Sequence, residues 1–192
     1  MKASLLELET VLITKRTVVR RFREHEGKAF SGLLVENSPI LQDIQPEVLP
    51  PINSPEEAEF FVRDCLAAWL RQEAFHYAVW DKDSADMIGY VAFHPIDWSL
   101  PKAAVTGFID KNRQAKGYMH EVLLSLYPFA FRQAGLEKLT LLISTENTAA
   151  QRLARKCGFQ REGDLREEMR RKSGEPLDLL LFGLTKSTYE KV

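Results

Sequence analysis

Gln114-Ala115-Lys116-Gly117-Tyr118-Met119-His120-Glu121 is the stretch on which the reading of this chain turns. It follows an apolar, strand-like run, Val105 to Ile109, and opens a helix-like run. The first N–H groups of a helix have no partner inside the helix, and the helix dipole places partial positive charge on them. A strand that feeds a glycine-bearing turn and then a helix start is therefore suited to an anionic phosphate group. Gly117 carries no Cβ, so a phosphate can approach the backbone closely there. A single glycine at a helix start is common, and by itself it marks only a tight turn.

Upstream of the turn, Ala103 to Asp110 reads as a strand. Phe75 to Trp80 and Met87 to Phe93 read as two strands around the polar turn Asp81 to Asp86, and Pro95 to Pro101 as a loop. The clearest helix starts at Ser54, a good N-cap, with Pro55 in the first turn and Glu57 completing a capping box. Its apolar positions Ala58, Phe61, Val62, Cys65, Leu66 and Trp69 form one stripe. Before it lie a strand at Thr17 to Phe22, a short helix at Glu24 to Leu34, and a loop from Asn37 to Asn53 that contains Pro39, Pro46, Pro50 and Pro51.

Downstream, Met119, Val122, Leu123, Leu126 and Ala130 keep helical spacing, with Pro128 set to kink the helix or end its regular part, and Gly135 to stop it. Leu139 to Ile143 is continuously apolar, as expected of a strand covered on both faces. A short helix follows at Asn147 to Lys156. Two last strands, Phe159 to Met169 and Leu177 to Leu184, flank a turn at Lys172 to Glu175. Early strands succeed each other as hairpins and later ones alternate with helices. That order predicts an α/β (α+β) fold with a mixed sheet covered by helices on its faces.

Length and composition are consistent with this. The 192 residues suit a single domain, 1–192, and 28% charged residues with a net charge of −1 suit a soluble protein with no global attraction to nucleic acid. The basic run in the last third, Arg152 to Lys172, is interleaved with Glu162, Asp164, Glu167 and Glu168, which blunts it as a nucleic-acid patch. Cys65 and Cys157 lack metal-ligand spacing and sit on apolar helical faces, so neither a metal site nor a disulfide is expected and a cytoplasmic location is. No apolar run reaches membrane-spanning length.

A second constellation, Asn147-Thr148-Ala149-Ala150-Gln151-Arg152-Leu153-Ala154-Arg155-Lys156-Cys157-Gly158-Phe159, follows the first after about thirty residues. Together the two resemble the GNAT superfamily of acyl-CoA-dependent N-acyltransferases. That family pairs a Gln/Arg-x-x-Gly-x-Gly/Ala turn with a later helix that opens with Asn and ends at Lys-x-Gly-Phe. Val11 to Glu26, Ile88-Gly89-Tyr90, His94 to Trp98 and Asp178 to Leu184 resemble its RimJ/RimL branch, which acetylates protein N-termini. The resemblance implies a mostly antiparallel sheet of about seven strands, with a splayed cleft for acyl-CoA. It also implies acetyl-CoA as co-substrate, an amine acceptor (a protein N-terminus or a small molecule), no metal, and room for a homodimer.

Carried onto this chain, the resemblance assigns cofactor binding to Phe108, Ile109, Asp110, Gln114, Ala115, Lys116, Gly117, Tyr118, Met119, Asn147, Ala150, Arg152 and Lys156. A backbone N–H between Phe108 and Asp110 would receive the oxyanion when an amine attacks the thioester. The departures are specific. Met119 stands where the family has Gly or Ala, Ala150 where relatives often have a Ser acid, and Ala104 where many place a Glu base. The catalytic candidates left by residue type are His94 and Asp97 for taking a proton, and Tyr118 or Tyr189 for returning one. A domain that binds acyl-CoA without catalysis is the alternative. Asn147 can be a helix cap, a coenzyme contact or both.

Overall fold

A computed structural model describes residues 8–41, 49–171 and 173–191. Much of the proline-rich loop predicted between Asn37 and Asn53, and Lys172 of the last turn, lie outside the described residues. The strands are β1 (Val11–Ile13), β2 (Thr17–Arg21), β3 (Phe75–Asp81), β4 (Met87–Asp97), β5 (Lys102–Ile109), β6 (Lys138–Ser144), β7 (Gln160–Arg170) and β8 (Pro176–Thr185). They form one sheet in the order β1-β2-β3-β4-β5-β6-β8-β7. Every neighbouring pair is antiparallel except β5 and β6. The helices are α1 (Gly27–Asn37), α2 (Pro55–Arg71), α3 (Tyr118–Pro128), α4 (Thr148–Lys156) and a single turn, α5 (Lys186–Tyr189).

The sheet has eight strands, against about seven expected. The additional one is β1, whose three residues are too few to show alternation. Helix α1 starts at Gly27, later than its sequence suggested, because the Glu26 carboxylate accepts the Arg23 N–H at 2.8 Å and the Arg20 guanidinium at 2.5 Å and bends this segment into a turn. Glu59 of α2 then caps α1, accepting the His25 and Gly27 N–H groups at 2.9 and 3.0 Å. Gly27 lets the two helices touch: a Cβ there would lie 2.4 Å from Glu59 N. In α2 the Ser54 side chain accepts the Glu57 N–H at 3.1 Å as predicted, but the Glu57 carboxylate reaches the Asn53 N–H (2.7 Å).

Strand β4 runs on through Pro95 to Asp97, where a loop was expected, because Pro95 falls in a bulge that needs no ladder N–H. The regular part of α3 ends at Pro128, continues as a π-helical turn over Phe129–Gln133, and stops at Gly135 (φ +74°). Two cores result. On one face α3 and α4 pack over Val19, Tyr77, Val91, Phe93, Val105 and Ile109. On the other, α1 and α2 bring Phe30, Ala58 and Val62 against Phe22, Tyr90 and Phe108.

Candidate active site

The parallel pairing of β5 and β6 covers three residue pairs only: Lys102 with Lys138, Ala103 with Leu139, and Ala104 with Thr140. Beyond that point β5 stays on β4 as far as Ile109, and β6 stays on β8 as far as Ser144. The two strands therefore diverge into a wedge that widens toward their C-terminal ends. Leu141 and Leu142 are half-buried for this reason, where a strand covered on both faces was expected.

The wedge is edged by main-chain groups. Asp110 N–H donates to Ile88 O at 2.8 Å, so alternate residues of β5 point their N–H and C=O at β4 and the remainder point into the wedge. Val105, Gly107 and Ile109 face the wedge on that count. The same alternation from the Thr145 N–H to Asp178 O bond (3.1 Å) places Leu142 and Ser144 on the facing edge. Within the stretch Phe108 to Asp110 the three residues are turned differently. Asp110 spends its N–H on β4 and its carboxylate on the Asn112 N–H (2.8 Å). Phe108 is turned to β4, with its ring in the α1–α2 core. Only Ile109 of the three turns its main chain toward the wedge, and its carbonyl accepts Gln114 Nε2 at 3.3 Å.

The narrow end coincides with the bulge in β4. Phe93 pairs with Val105 and Ile96 with Ala103, so His94 and Pro95 together oppose Ala104, the last residue of β5 still paired with β6. His94 is half-buried on the α1–α2 face, its ring 6.0 Å from that of His76. His76 in turn shares a 2.7 Å hydrogen bond with the Tyr90 hydroxyl. Burial, and then the proximity of His94, push the His76 pKa down to about 3, so that ring is neutral.

Helices α3 and α4 both begin at the wide end. The N-cap of α4 is Asn147, whose side chain accepts the Ala150 N–H at 3.0 Å, so its carbonyl oxygen is committed to capping. The N-cap of α3 is Gly117 (φ +81°), which has no side chain to do this. The first N–H groups of α3 are therefore left for an external acceptor. Gln114, Ala115, Lys116 and Gly117 are all exposed, with Gln114 Nε2 donating back to Ile109 O at 3.3 Å and Lys116 Nζ to Asn112 O at 2.9 Å. Ala115 also has positive φ (+59°), so the turn contains two left-handed residues of the kind that make concave nests of N–H groups. Met119 packs against the α3–α4 core and does not crowd the turn.

Several residues that support this turn were not singled out in the sequence. Buried Asn37, at the end of α1, accepts the Lys111 N–H at 2.7 Å. Arg113 donates to Asp81 Oδ2 at 2.5 Å. Arg16, between β1 and β2, donates from Nη1 to Lys116 O at 2.9 Å. Their partners are 32 to 100 residues away in the chain, and nothing local marks them.

Three catalytic candidates are not brought to the wedge. The Asp97 carboxylate accepts the Ser99 hydroxyl and N–H (2.5 and 2.9 Å), with Lys102 at 3.7 Å. The two Ser99 bonds, more than the lysine, hold it below the usual carboxylate range. It is tied into the turn that follows β4. The Tyr118 ring lies under Arg16 (4.1 Å), with Arg113 at 5.9 Å, and its hydroxyl is 3.4 Å from Asp81 Oδ2, on the β3 side and away from β6. Tyr189 stacks on Phe131 (5.0 Å) and meets Tyr127 edge-on. On α4, Arg152 is exposed about one turn from the helix start, whereas Lys156 is at the other end, roughly 12 Å from the wide end of the wedge. Cys157 is buried; burial pushes its thiol up to about 11, so it is packing and not a ready thiolate.

A sheet opened between two parallel strands, with an uncapped helix start at its wide end, suits an extended ligand with an anionic end. Residues 16–160 match the family model described as Acetyltransferase (GNAT) domain, and the chain belongs to that family. It is an N-acetyltransferase. A relative, the uncharacterized N-acetyltransferase YoaA of Bacillus subtilis, is 24% identical over 176 residues, which is 92% of this chain and 97% of YoaA. Among solved structures, the ribosomal-protein alpha-N-acetyltransferase RimL in complex with coenzyme A superposes with a TM-score of 0.82 at 20% identity, over 91% of this chain and 97% of that one. The microcin self-immunity acetyltransferase MccE, in complex with acetyl-CoA and AMP, gives 0.80 at 16% identity over 94% and 99%. At these identities the two structures show a shared fold. Among the described residues no helix is long and apolar enough to cross a membrane.

Proposed function

We propose that the protein transfers the acetyl group of acetyl-CoA to a primary amine, with the α-amine of a protein N-terminus or a small weakly basic amine as the acceptor class. One observation carries this reading: the exposed, uncapped turn that follows β5 opens onto the wide end of a wedge in the same sheet. A single extended ligand can then place its diphosphate at α3 and its arm between β5 and β6. RimL and MccE, which share the fold, were solved with coenzyme A and acetyl-CoA.

Bound acetyl-CoA supplies an acetyl thioester. The main-chain N–H groups around Gln114, Ala115, Lys116, Gly117, Tyr118 and Met119 hold the diphosphate, with Asn147, Ala150 and Arg152 flanking from α4. The wedge edges, Val105 and Gly107 with the Ile109 N–H against Leu142, offer N–H and C=O groups to the amides of the pantetheine arm, as an added strand would use them. The Ser144 carbonyl is already taken by the Asn147 N–H and Gln151 Nε2 (3.0 and 3.1 Å), and the Ile109 carbonyl by Gln114 Nε2 (3.3 Å). The Val105 N–H, nearest the narrow end, is the donor assigned to the acetyl oxygen. His94, beside that point on the α1–α2 face, takes a proton from the acceptor. Its Nδ1 is buried, so Nε2 is the nitrogen that meets the amine.

Ala104 and Ala150 carry no proton, which bears on the acceptor. An α-amine, with a pKa of about 7.7–8.0, is roughly a tenth neutral at pH 7; a lysine amine near 10.4 is neutral in well under one part in a thousand. Weak proton removal favours the former. The same two alanines favour the second reading, acyl-CoA binding without transfer. Thiol release from acetyl-CoA, measured over a panel of amines, tests both. Release with N-terminal peptides or small amines is expected; none with any amine would leave only the binding reading. Faster acetylation of lysine side chains than of peptide N-termini at pH 7 would overturn the acceptor class. The absence of any melting shift at millimolar acetyl-CoA would remove the cofactor.

A further inference from the structure

We infer that Arg16, distant in sequence from the glycine turn, is a positioning residue for diphosphate binding: it fixes the Lys116–Gly117 peptide so that the Gly117 N–H faces the ligand. The inference rests on the acetyl-CoA reading above.

The guanidinium is held from two sides. Glu121, in the first turn of α3, accepts the Arg16 main-chain N–H and Nε, each at 2.8 Å, and also the Thr14 hydroxyl at 2.5 Å. The guanidinium carbon lies over the Tyr118 ring, 4.1 Å from its centroid. With Nε and the ring face fixed, Nη1 is aimed at Lys116 O, to which it donates at 2.9 Å. The fork geometry of arginine allows one side chain to serve Glu121 and a carbonyl together, which a lysine ammonium on its flexible stem does not.

The peptide it grips is the one that matters for an anion. Residues 116 and 117 are joined by a trans peptide, in which C=O and N–H point in opposite directions. A guanidinium that pulls the Lys116 carbonyl toward β1–β2 therefore turns the Gly117 N–H the other way, outward from the β1–β2 turn. That segment is exposed and contains two residues of positive φ, Ala115 and Gly117. Glycine has little preference between left- and right-handed backbone, so an unrestrained peptide beside it can rotate. Arg16 removes that freedom before any ligand arrives, and α3, through Glu121, supplies the anchor.

The test compares acetyl-CoA with S-acetylpantetheine, which has the thioester and the arm but no diphosphate, by isothermal calorimetry on the purified full chain and its Arg16→Gln and Arg16→Lys variants. Arg16→Gln is expected to weaken acetyl-CoA binding about tenfold or more. S-acetylpantetheine binding should stay within twofold of wild type. Arg16→Lys is expected to change in the same direction, since it keeps charge but not the fork, and it decides the matter alone if the glutamine variant does not fold. Each ratio of the two affinities is internal to one protein, so a reduced folded fraction cancels. Equal weakening of both ligands would show a merely structural arginine, and unchanged ratios in the variants would likewise overturn the inference. A wild-type protein that binds neither ligand, or both equally, would overturn the acetyl-CoA reading itself and the inference with it.

Discussion

Asp81 Oδ2 and Arg113 Nη1 meet at 2.5 Å, and through them the β3–β4 hairpin is fastened to the segment that leads into the glycine turn. Asp81 is 5% exposed and accepts further bonds from the Asp83 and Ser84 N–H groups, both at 3.0 Å. The Ser84 N–H, against the opposing effect of burial, and then Asp83 and Arg113 hold its carboxyl below the usual range. A carboxylate whose folded pKa is depressed stabilises the fold above its unfolded pKa, about 3.9. That contribution disappears as pH falls through the folded value. Asp81→Asn should therefore cost about 2 kcal/mol at pH 7, and the deficit should shrink as pH drops below about 4. Urea melts at pH 7 and pH 3 read both effects; a deficit independent of pH would refute the assignment.

Ala115 occupies left-handed backbone at φ +59°, where an L-residue with a Cβ is strained by roughly 1–2 kcal/mol. Ala115→Gly relieves that strain and gives back about 0.5–1 kcal/mol through the greater freedom of the unfolded chain. The net expectation is a gain of up to about 1 kcal/mol, read as a rise of roughly 2–4 °C in Tm. A fall in Tm would mean that the alanine conformation is not strained.

The Tyr77 hydroxyl lies in the α3–α4 core and has no hydrogen-bond partner among the described residues. A buried hydroxyl left unpaired costs about 1–3 kcal/mol. Tyr77→Phe should keep the ring contacts with Trp69 and Phe129 and leave stability unchanged or higher by about 1 kcal/mol. Thermal melts decide it, and a clear loss of stability would reveal a hydrogen bond.

His94 is the one proton-transfer candidate that the fold brings to the narrow end of the wedge. On the proposed function, His94→Gln should lower kcat for a peptide N-terminus about 10²-fold, with acetyl-CoA affinity unchanged because the glycine turn lies beyond the other end of β5. Steady-state kinetics with calorimetry separate the two. A kcat within twofold of wild type would remove His94 from the chemistry.

How much of this was legible in the chain depends on the range of the interactions. The Gln114–Met119 turn and the Asn147 cap are local, carried by backbone conformation and a side chain three residues from its partner, and both are found where the sequence puts them. The Ser54 cap of α2 was readable for the same reason. Strand β1 was not, because three residues cannot show a period. Nor was the β4 bulge, since Pro95 after an apolar run reads as a loop until its partner strand is known. The roles of Asn37, Asp81, Arg113 and Arg16 depend on contacts made by folding distant segments together. Asp97 and Tyr118 fit by residue type, but hydrogen bonds to Ser99 and packing between two arginines turn them elsewhere.

The wedge also divides the sheet. β1 to β5 form one block and β6, β8 and β7 another, and among the described residues their ladder is limited to Lys102 to Ala104 with Lys138 to Thr140, extended by the Glu137 N–H to Pro101 O bond at 2.6 Å. On the acetyl-CoA reading, the co-substrate completes the seam, and by mass action a ligand at a hundred times its Kd adds about 2.7 kcal/mol to the resistance of the fold to unfolding. Survival of this protein under heat or proteolysis would then report on the supply of activated acetate around it.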